Sequence, residues 1–155
     1  MVTDNIINYF LRSLPNLLWV LKPFFIKKSI YKIGRNVKIS YDATFTSFSN
    51  IEIRDDVFLG KNFYCSVSKT ITIKSRVMFG ANCSIIGGDH KFNDPTDNMR
   101  YTSKFGDNRD IIIEEDCWIG HGTIILKKAF LAEGCIVGAN SLINAPLKPY
   151  SIYVG

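Results

Sequence analysis

The sequence predicts an all-β solenoid of about five coils, each coil made of three short strands joined by tight corners. Three observations predict it. An aliphatic or near-aliphatic residue recurs every six positions, unbroken through Ile113, Ile119, Ile125, Leu131, Val137 and Ile143. Upstream the same beat runs as the triplets Ile33–Ile39–Phe45, Ile53–Leu59–Cys65 and Ile73–Phe79–Ile85. A second inward position follows four residues after each, at Val37, Ala43, Val57, Phe63, Val77, Cys83, Cys117, Thr123, Ala129, Cys135, Ser141 and Leu147. Gly often stands directly after the aliphatic, at Gly34, Gly60, Gly80, Gly120 and Gly138. A period of six suits neither a helix, at roughly 3.6 residues per turn, nor the two-residue alternation of a plain strand. Three strands to a coil do suit it, with Gly permitting the bends.

Stacking the triplets gives three columns: Ile33, Ile53, Ile73, Ile113 and Leu131; Ile39, Leu59, Phe79, Ile119 and Val137; Phe45, Cys65, Ile85, Ile125 and Ile143. Each is a ladder of apolar side chains at sheet spacing, which is how a solenoid builds a continuous core. A β-sandwich also has short strands and turns, but nothing in it aligns fifteen positions. Residues 33–155 are thus the solenoid domain, residues 1–32 precede it, and residues 86–112 interrupt it.

The segment 1–32 is apolar and basic. Residues 1–40 carry seven basic side chains against Asp4 alone, so the remaining 12 basic and 13 acidic residues nearly balance and the whole net charge of +5 originates at the N-terminal end. Arg12, Pro15, Asn16, Lys22 and Pro23 interrupt the apolar residues, so no run of about 18 is present and a spanning helix is disfavoured. No basic leader or small-residue cleavage site marks a removed signal. Two compatible readings stay open. The segment is a helical cap over the first coil's exposed edges, or an interfacial anchor with Trp19, Phe24 and Phe25 among lipid headgroups. Nothing in it reads nucleic acid, because the basic cluster lacks a reading motif.

Cys65, Cys83, Cys117 and Cys135 all fall on inward positions, where a thiol acts as a small apolar residue. They are read as reduced core residues of a cytoplasmic protein, although Cys117 and Cys135 lie one coil apart and a bridge is conceivable. No metal-ligand spacing occurs, and a metal is not expected.

The insertion 86–112 is polar, turn-rich and too long for a corner, and long loops on rigid scaffolds concentrate function. It contains His90, one of two histidines, preceded by Gly87-Gly88-Asp89. Imidazole suits general-base work near neutral pH. By residue type alone, an ordinary surface histidine fits equally well.

Residues 33–155 resemble the hexapeptide-repeat acyltransferases, on the repeat itself and on Trp118-Ile119-Gly120, Gly138-Ala139-Asn140-Ser141 and Pro149-Tyr150-Ser151. Within that family the likeness is to the maltose, galactoside and polysaccharide O-acetyltransferases. The resemblance implies a left-handed parallel β-helix, acetyl-CoA as co-substrate, a sugar or glycan hydroxyl as acceptor, and a homotrimer with active sites at subunit interfaces. It places the essential base at His90 and an acceptor contact at Ser66; Asp89, adjacent to His90, is a candidate to orient the ring, and Asp94, Asn98 and Arg100 are candidate acceptor contacts because they lie on the insertion, where a solvated loop is the alternative. Ser66 stands where those sugar enzymes carry Asn after a Phe-Tyr pair, a shorter donor. The cofactor positions become Gly120, His121, Gly138, Ala139, Asn144 and Lys148, with His121 in place of a small residue and Asn144-Ala145 in place of Thr-Lys.

Alternatives are separable. A zinc anhydrase on the same scaffold needs three histidine ligands, and only His90 and His121 exist. Serine acetyltransferases and nucleotide-binding amino-sugar enzymes need large N-terminal domains that 32 residues cannot supply. A non-catalytic solenoid, whether scaffold or binding protein, has no use for the insertion; an amine acceptor remains open. The acetyl transfer is expected in surface-polysaccharide assembly, in the cytoplasm at the inner face of the membrane, with peripheral attachment through the N-terminal segment.

Overall fold

The computed structural model of the protein describes residues 21–88, 90 and 110–155. Among the described residues one helix, α1 (Lys22–Ser29), leads into 17 short strands that stack as three parallel sheets around one core. The first wall is β1 (Lys32–Ile33), β4 (Ile51–Ile53), β7 (Ile71–Ile73), β10 (Ile111–Ile113), β13 (Phe130–Leu131) and β16 (Pro146–Leu147). The second is β2 (Lys38–Ile39), β5 (Phe58–Leu59), β8 (Met78–Phe79), β11 (Trp118–Ile119), β14 (Ile136–Val137) and β17 (Ile152–Tyr153). The third is β3 (Thr44–Phe45), β6 (Tyr64–Ser66), β9 (Ser84–Ile86), β12 (Ile124–Leu126) and β15 (Leu142–Ile143).

The registers reproduce the three columns read from the sequence, from Ile33 opposite Ile53 to Ile125 opposite Ile143. Every member except the half-exposed Ile33 is buried. Backbone amides donate from coil to coil, as in Lys38 to Val57, Phe58 to Val77, Met78 to Cys117 and Trp118 to Cys135. The parallel ladder thus satisfies the backbone of strands too short to hold one another in isolation.

Three features depart from the simple beat. Leu147, expected as a corner residue, joins the first wall opposite Leu131, and Tyr153 joins the second opposite Val137. The last coil therefore shortens from the 18 residues between Ile113 and Leu131 to 16. The two extra residues of the earlier coils widen the third corner, and Phe48 and Val67 turn inward there. Ile51, Ile71 and Ile111 are also fully buried, because the three-residue strands of the first wall face inward at both ends. Phe45, Phe48, Phe63 and Phe79 then stack as an aromatic column, with neighbouring centroids 5.1–5.8 Å apart.

The glycines that follow the aliphatic residues do not make the bends. Left-handed backbone falls on Asn36, Asp56, Arg76, Asp116, Gly134 and Tyr150 at the first corner, and on Asn62, Asn82, Gly122 and Asn140 at the second. Asn and Asp tolerate that conformation better than other side chains. What Gly60 and Gly120 supply is close approach. A Cβ on Gly60 would stand 2.6 Å from the Gly80 oxygen, and one on Gly120 2.6 Å from the Ala139 nitrogen.

All four cysteines are free and buried. From Cys83 onward the inward corner residues, Ala129 apart, change from Val, Ala and Phe to Cys, Thr and Ser, and four of them donate to carbonyls of the following coil: Cys83 to Gly120 at 3.1 Å, Cys117 to Ala132 at 3.2 Å, Thr123 to Gly138 at 3.1 Å and Cys135 to Lys148 at 3.1 Å. Buried hydroxyls and thiols thereby cost little. Burial pushes the Cys65 thiol up to about 12 and that of Cys117 up to about 11.

Two outcomes follow. Gly60→Ala forces a backbone shift and should cost about 2 kcal/mol in thermal unfolding. Gly88→Ala, whose Cβ meets Ser68 Oγ at 3.6 Å and nothing else among the described residues, should be near neutral. Because the folded thiols ionise later than unfolded ones, their contribution is complete below the unfolded thiol pKa of about 8.5 and is lost as pH rises towards 11–12. The melting temperature should fall across that window, and a thiol reagent at pH 8 should label cysteines only after unfolding.

Candidate active site

The third wall determines where chemistry can occur. Its strands present two outward columns: Thr44, Tyr64, Ser84, Ile124 and Leu142; and Thr46, Ser66, Ile86 and Leu126, with Asn144 following β15. Below β9 both columns carry hydroxyls, and above it they are aliphatic as far as Asn144. Thr46 Oγ1 donates to Ser66 Oγ at 3.1 Å, which leaves the proton of Ser66 without an acceptor among the described residues. The hydroxyls of Tyr64 and Ser84 likewise bond to no described residue.

The insertion leaves the solenoid at this boundary. After β9 the Gly87 amide donates to the Ser66 carbonyl at 2.8 Å, and Ser68 Oγ donates to the Gly87 carbonyl at 3.2 Å. A Cβ on Gly87 would press on Val67 and Ile111 at 3.0–3.2 Å, so the chain exits tightly over the coil beneath. On the return, Asp110 accepts from the Thr70 amide at 3.1 Å, and Ile111 donates to the Thr70 carbonyl at 3.0 Å. Both feet of the insertion are therefore held on one corner, Ser66–Thr70. His90 is exposed, and chain length keeps its Cα within about 11 Å of the anchored Gly87. Asp89, Asp94, Asn98 and Arg100 lie outside the described residues.

The other predicted residues divide between corners. Gly120, His121, Gly138 and Ala139 stack at the second corner, where the Asn140 amide donates to the His121 carbonyl at 2.7 Å. His121 is exposed, and its Nε2 lies 3.3 Å from Asn82 Nδ2. An amide NH2 can only donate, so this contact makes Nε2 the acceptor and puts the ring proton on Nδ1. A wire of such bonds runs down the corner, with Asn62 Nδ2 donating to Asn82 Oδ1 at 2.9 Å and the Asn62 amide donating to Asp42 Oδ1 at 2.8 Å. These bonds, with that from Ser40, hold the Asp42 carboxyl below its ordinary range against the opposing effect of burial.

The second corner and the insertion flank opposite edges of the third wall. One chain therefore does not bring His121 and His90 together. Ser66 and Asn144 share the insertion's edge, whereas Lys148 belongs to the first corner, where its amide takes a bond to Tyr153 Oη at 2.6 Å. The clamp made by Ser68, Thr70 and Asp110 went unpredicted, since nothing in the repeat distinguishes those residues from other polar corner positions. No group of His, Cys, Asp and Glu suited to a metal occurs among the described residues.

No family model matches the sequence. A Schizosaccharomyces pombe protein described as an acetyltransferase is 29% identical over 106 residues, 64% of this chain and 49% of that protein. The galactoside O-acetyltransferase of Lactococcus lactis is 27% identical over 121 residues, covering 77% and 56% of the two chains. The chain thus spans about half the length of these curated relatives. Among solved structures, the hexapeptide-repeat acetyltransferase of Vibrio cholerae superposes with a TM-score of 0.82 at 19% identity, over 99% of this chain and 84% of that one. Its complex with acetyl coenzyme A superposes at 0.80. The repeat, the three-walled fold and these relatives agree in likening the chain to acetyltransferases, and the fold is that of the hexapeptide-repeat acetyltransferase structures.

Proposed function

We propose that the protein transfers an acetyl group from acetyl-CoA to a hydroxyl of a sugar or glycan acceptor. The observation that carries this reading is the seating of the His90 insertion where the third wall changes from hydroxylic to aliphatic. The hydroxyl protons of Tyr64, Ser66 and Ser84, which bond to no acceptor among the described residues, suit a polyhydroxylated acceptor beneath the insertion, and small residues at Gly120, Gly138 and Ala139 suit close approach of a cofactor chain at the second corner.

In this mechanism His90 accepts the acceptor's O–H proton as that oxygen attacks the thioester carbonyl. The tetrahedral intermediate collapses, the C–S bond breaks, and the imidazolium returns its proton to the departing thiolate. No covalent enzyme intermediate is needed, and the buried cysteines, with ionisation pushed upward by desolvation, are poor nucleophiles. Asp89, Asp94, Asn98 and Arg100 are proposed to serve the base and the acceptor from the insertion.

The active unit in this proposal is a homotrimer. The second wall shows an outward column of Phe58, Met78, Trp118, Ile136 and Ile152, all exposed and in register, with Trp118 51% exposed. A continuous apolar strip of this kind calls for a covering surface. Packing three copies by cyclic symmetry covers it and sets one copy's second corner beside the next copy's insertion, which joins the halves that a single chain keeps apart. The biological setting we propose is surface-polysaccharide assembly at the cytoplasmic face of the membrane.

His90→Ala should lower turnover at least about 100-fold while leaving acetyl-CoA affinity within two- to three-fold. Coenzyme A release would be followed with methyl galactoside, maltose and a simple amine. Full turnover by the variant, or transfer to the amine alone, would contradict the reading. Light scattering should give three times the 17.6 kDa chain mass. A fully active monomer at micromolar concentration would overturn the shared site.

A further inference from the structure

Helix α1 is apolar on two opposite faces. Its inward face buries Ile26 and Ile30 in the solenoid core, with Phe25 packed against it, so it caps the first coil. Its outward face carries Leu21, Phe24 and Lys28 at helical spacing, and the exposed Tyr31 follows beyond the extended Ile30 that ends the helix. Phe24 is 53% exposed and Tyr31 70% exposed, although a helix with one buried face ordinarily turns polar residues to water. Lys28 Nζ sits 4.7 Å above the Phe24 ring, holding cation and aromatic in one patch.

The charge around this stripe has one sign. Residues 21–41 contain Lys22, Lys27, Lys28, Lys32, Arg35 and Lys38 and no acidic residue. Lys32 and Arg35 pair with Glu52 and Asp55 of the next coil, whereas Lys22, Lys27, Lys28 and Lys38 pair with no carboxylate among the described residues. A second copy would face this patch with the same cations. An anionic bilayer complements both properties, taking the aromatic rings at headgroup depth and the ammonium groups among the phosphates. We propose that the outward stripe of Leu21, Phe24, Lys28 and Tyr31, flanked by Lys22 and Lys27, docks the solenoid end-on to an anionic lipid surface. Phe25 belongs to the cap and not to this surface. The proposal is independent of the chemistry assigned to His90.

The test is co-sedimentation of the full chain with phosphatidylcholine vesicles and with vesicles containing 30% phosphatidylglycerol, at low and high salt. The protein should bind the anionic vesicles, and salt should release it. Lys27→Glu with Lys28→Glu should weaken binding at least about 30-fold, and Phe24→Ala with Tyr31→Ala roughly 10-fold. All four changes should leave the melting temperature nearly unaltered. Phe25→Ala should do the reverse, lowering stability while the folded protein still binds. No binding to anionic vesicles, equal binding to neutral ones, or variants that bind like the parent would each overturn the proposal. So would a loss of oligomer in the Phe24→Ala, Tyr31→Ala variant, which would assign the stripe to a second copy.

Discussion

Everything in this protein depends on the vertical register of its coils. Strands of two or three residues have no independent stability, and each exists because the coil above and the coil below present matching amides and carbonyls. That register fixes which side chains share a column. Columns then determine the core, the corner wires, the apolar strip of the second wall and the polarity step of the third. Stability in such a stack is a sum of neighbour contacts, so each rung is felt chiefly by the next.

The register also explains how a long insertion is tolerated. Coil length is free to vary only where added residues leave every column in place. The chain uses that freedom at the third corner, with two additional residues before β4 and β7 and a full insertion before β10. Ile111–Ile113 still pairs with Ile71–Ile73, so the core passes beneath the insertion unbroken. The result is a polar insertion with both feet fixed on Ser66–Thr70, a firm base for the role proposed for His90.

Much of this was legible in the sequence, because aliphatic spacing reports inward columns directly. Ile51, Ile71 and Ile111 escape it because a beat of six marks one inward residue per strand, whereas the three-residue strands of the first wall have two. Leu147 was assigned to a corner because a constant coil length was assumed, and the loss of two residues in the last coil moved it onto a wall. The bends were credited to the glycines, whose conspicuous position reflects close coil approach, while left-handed backbone fell on inconspicuous Asn and Asp residues. At the site, His90 stood out by chemistry and by placement on the insertion. The division of the predicted residues between opposite edges of one wall did not, since a one-dimensional pattern says nothing about which edges meet in an assembly.

The central claim is that the second corner and the foot of the insertion form one cofactor-bearing site although one chain holds them apart. Amide hydrogen exchange with and without acetyl-CoA addresses it most directly. Added protection should appear at both Gly120–Gly122 with Gly138–Asn140 and at Gly87–His90, while residues 21–45 remain unchanged. Protection at only one of these edges, or at neither, would contradict the account.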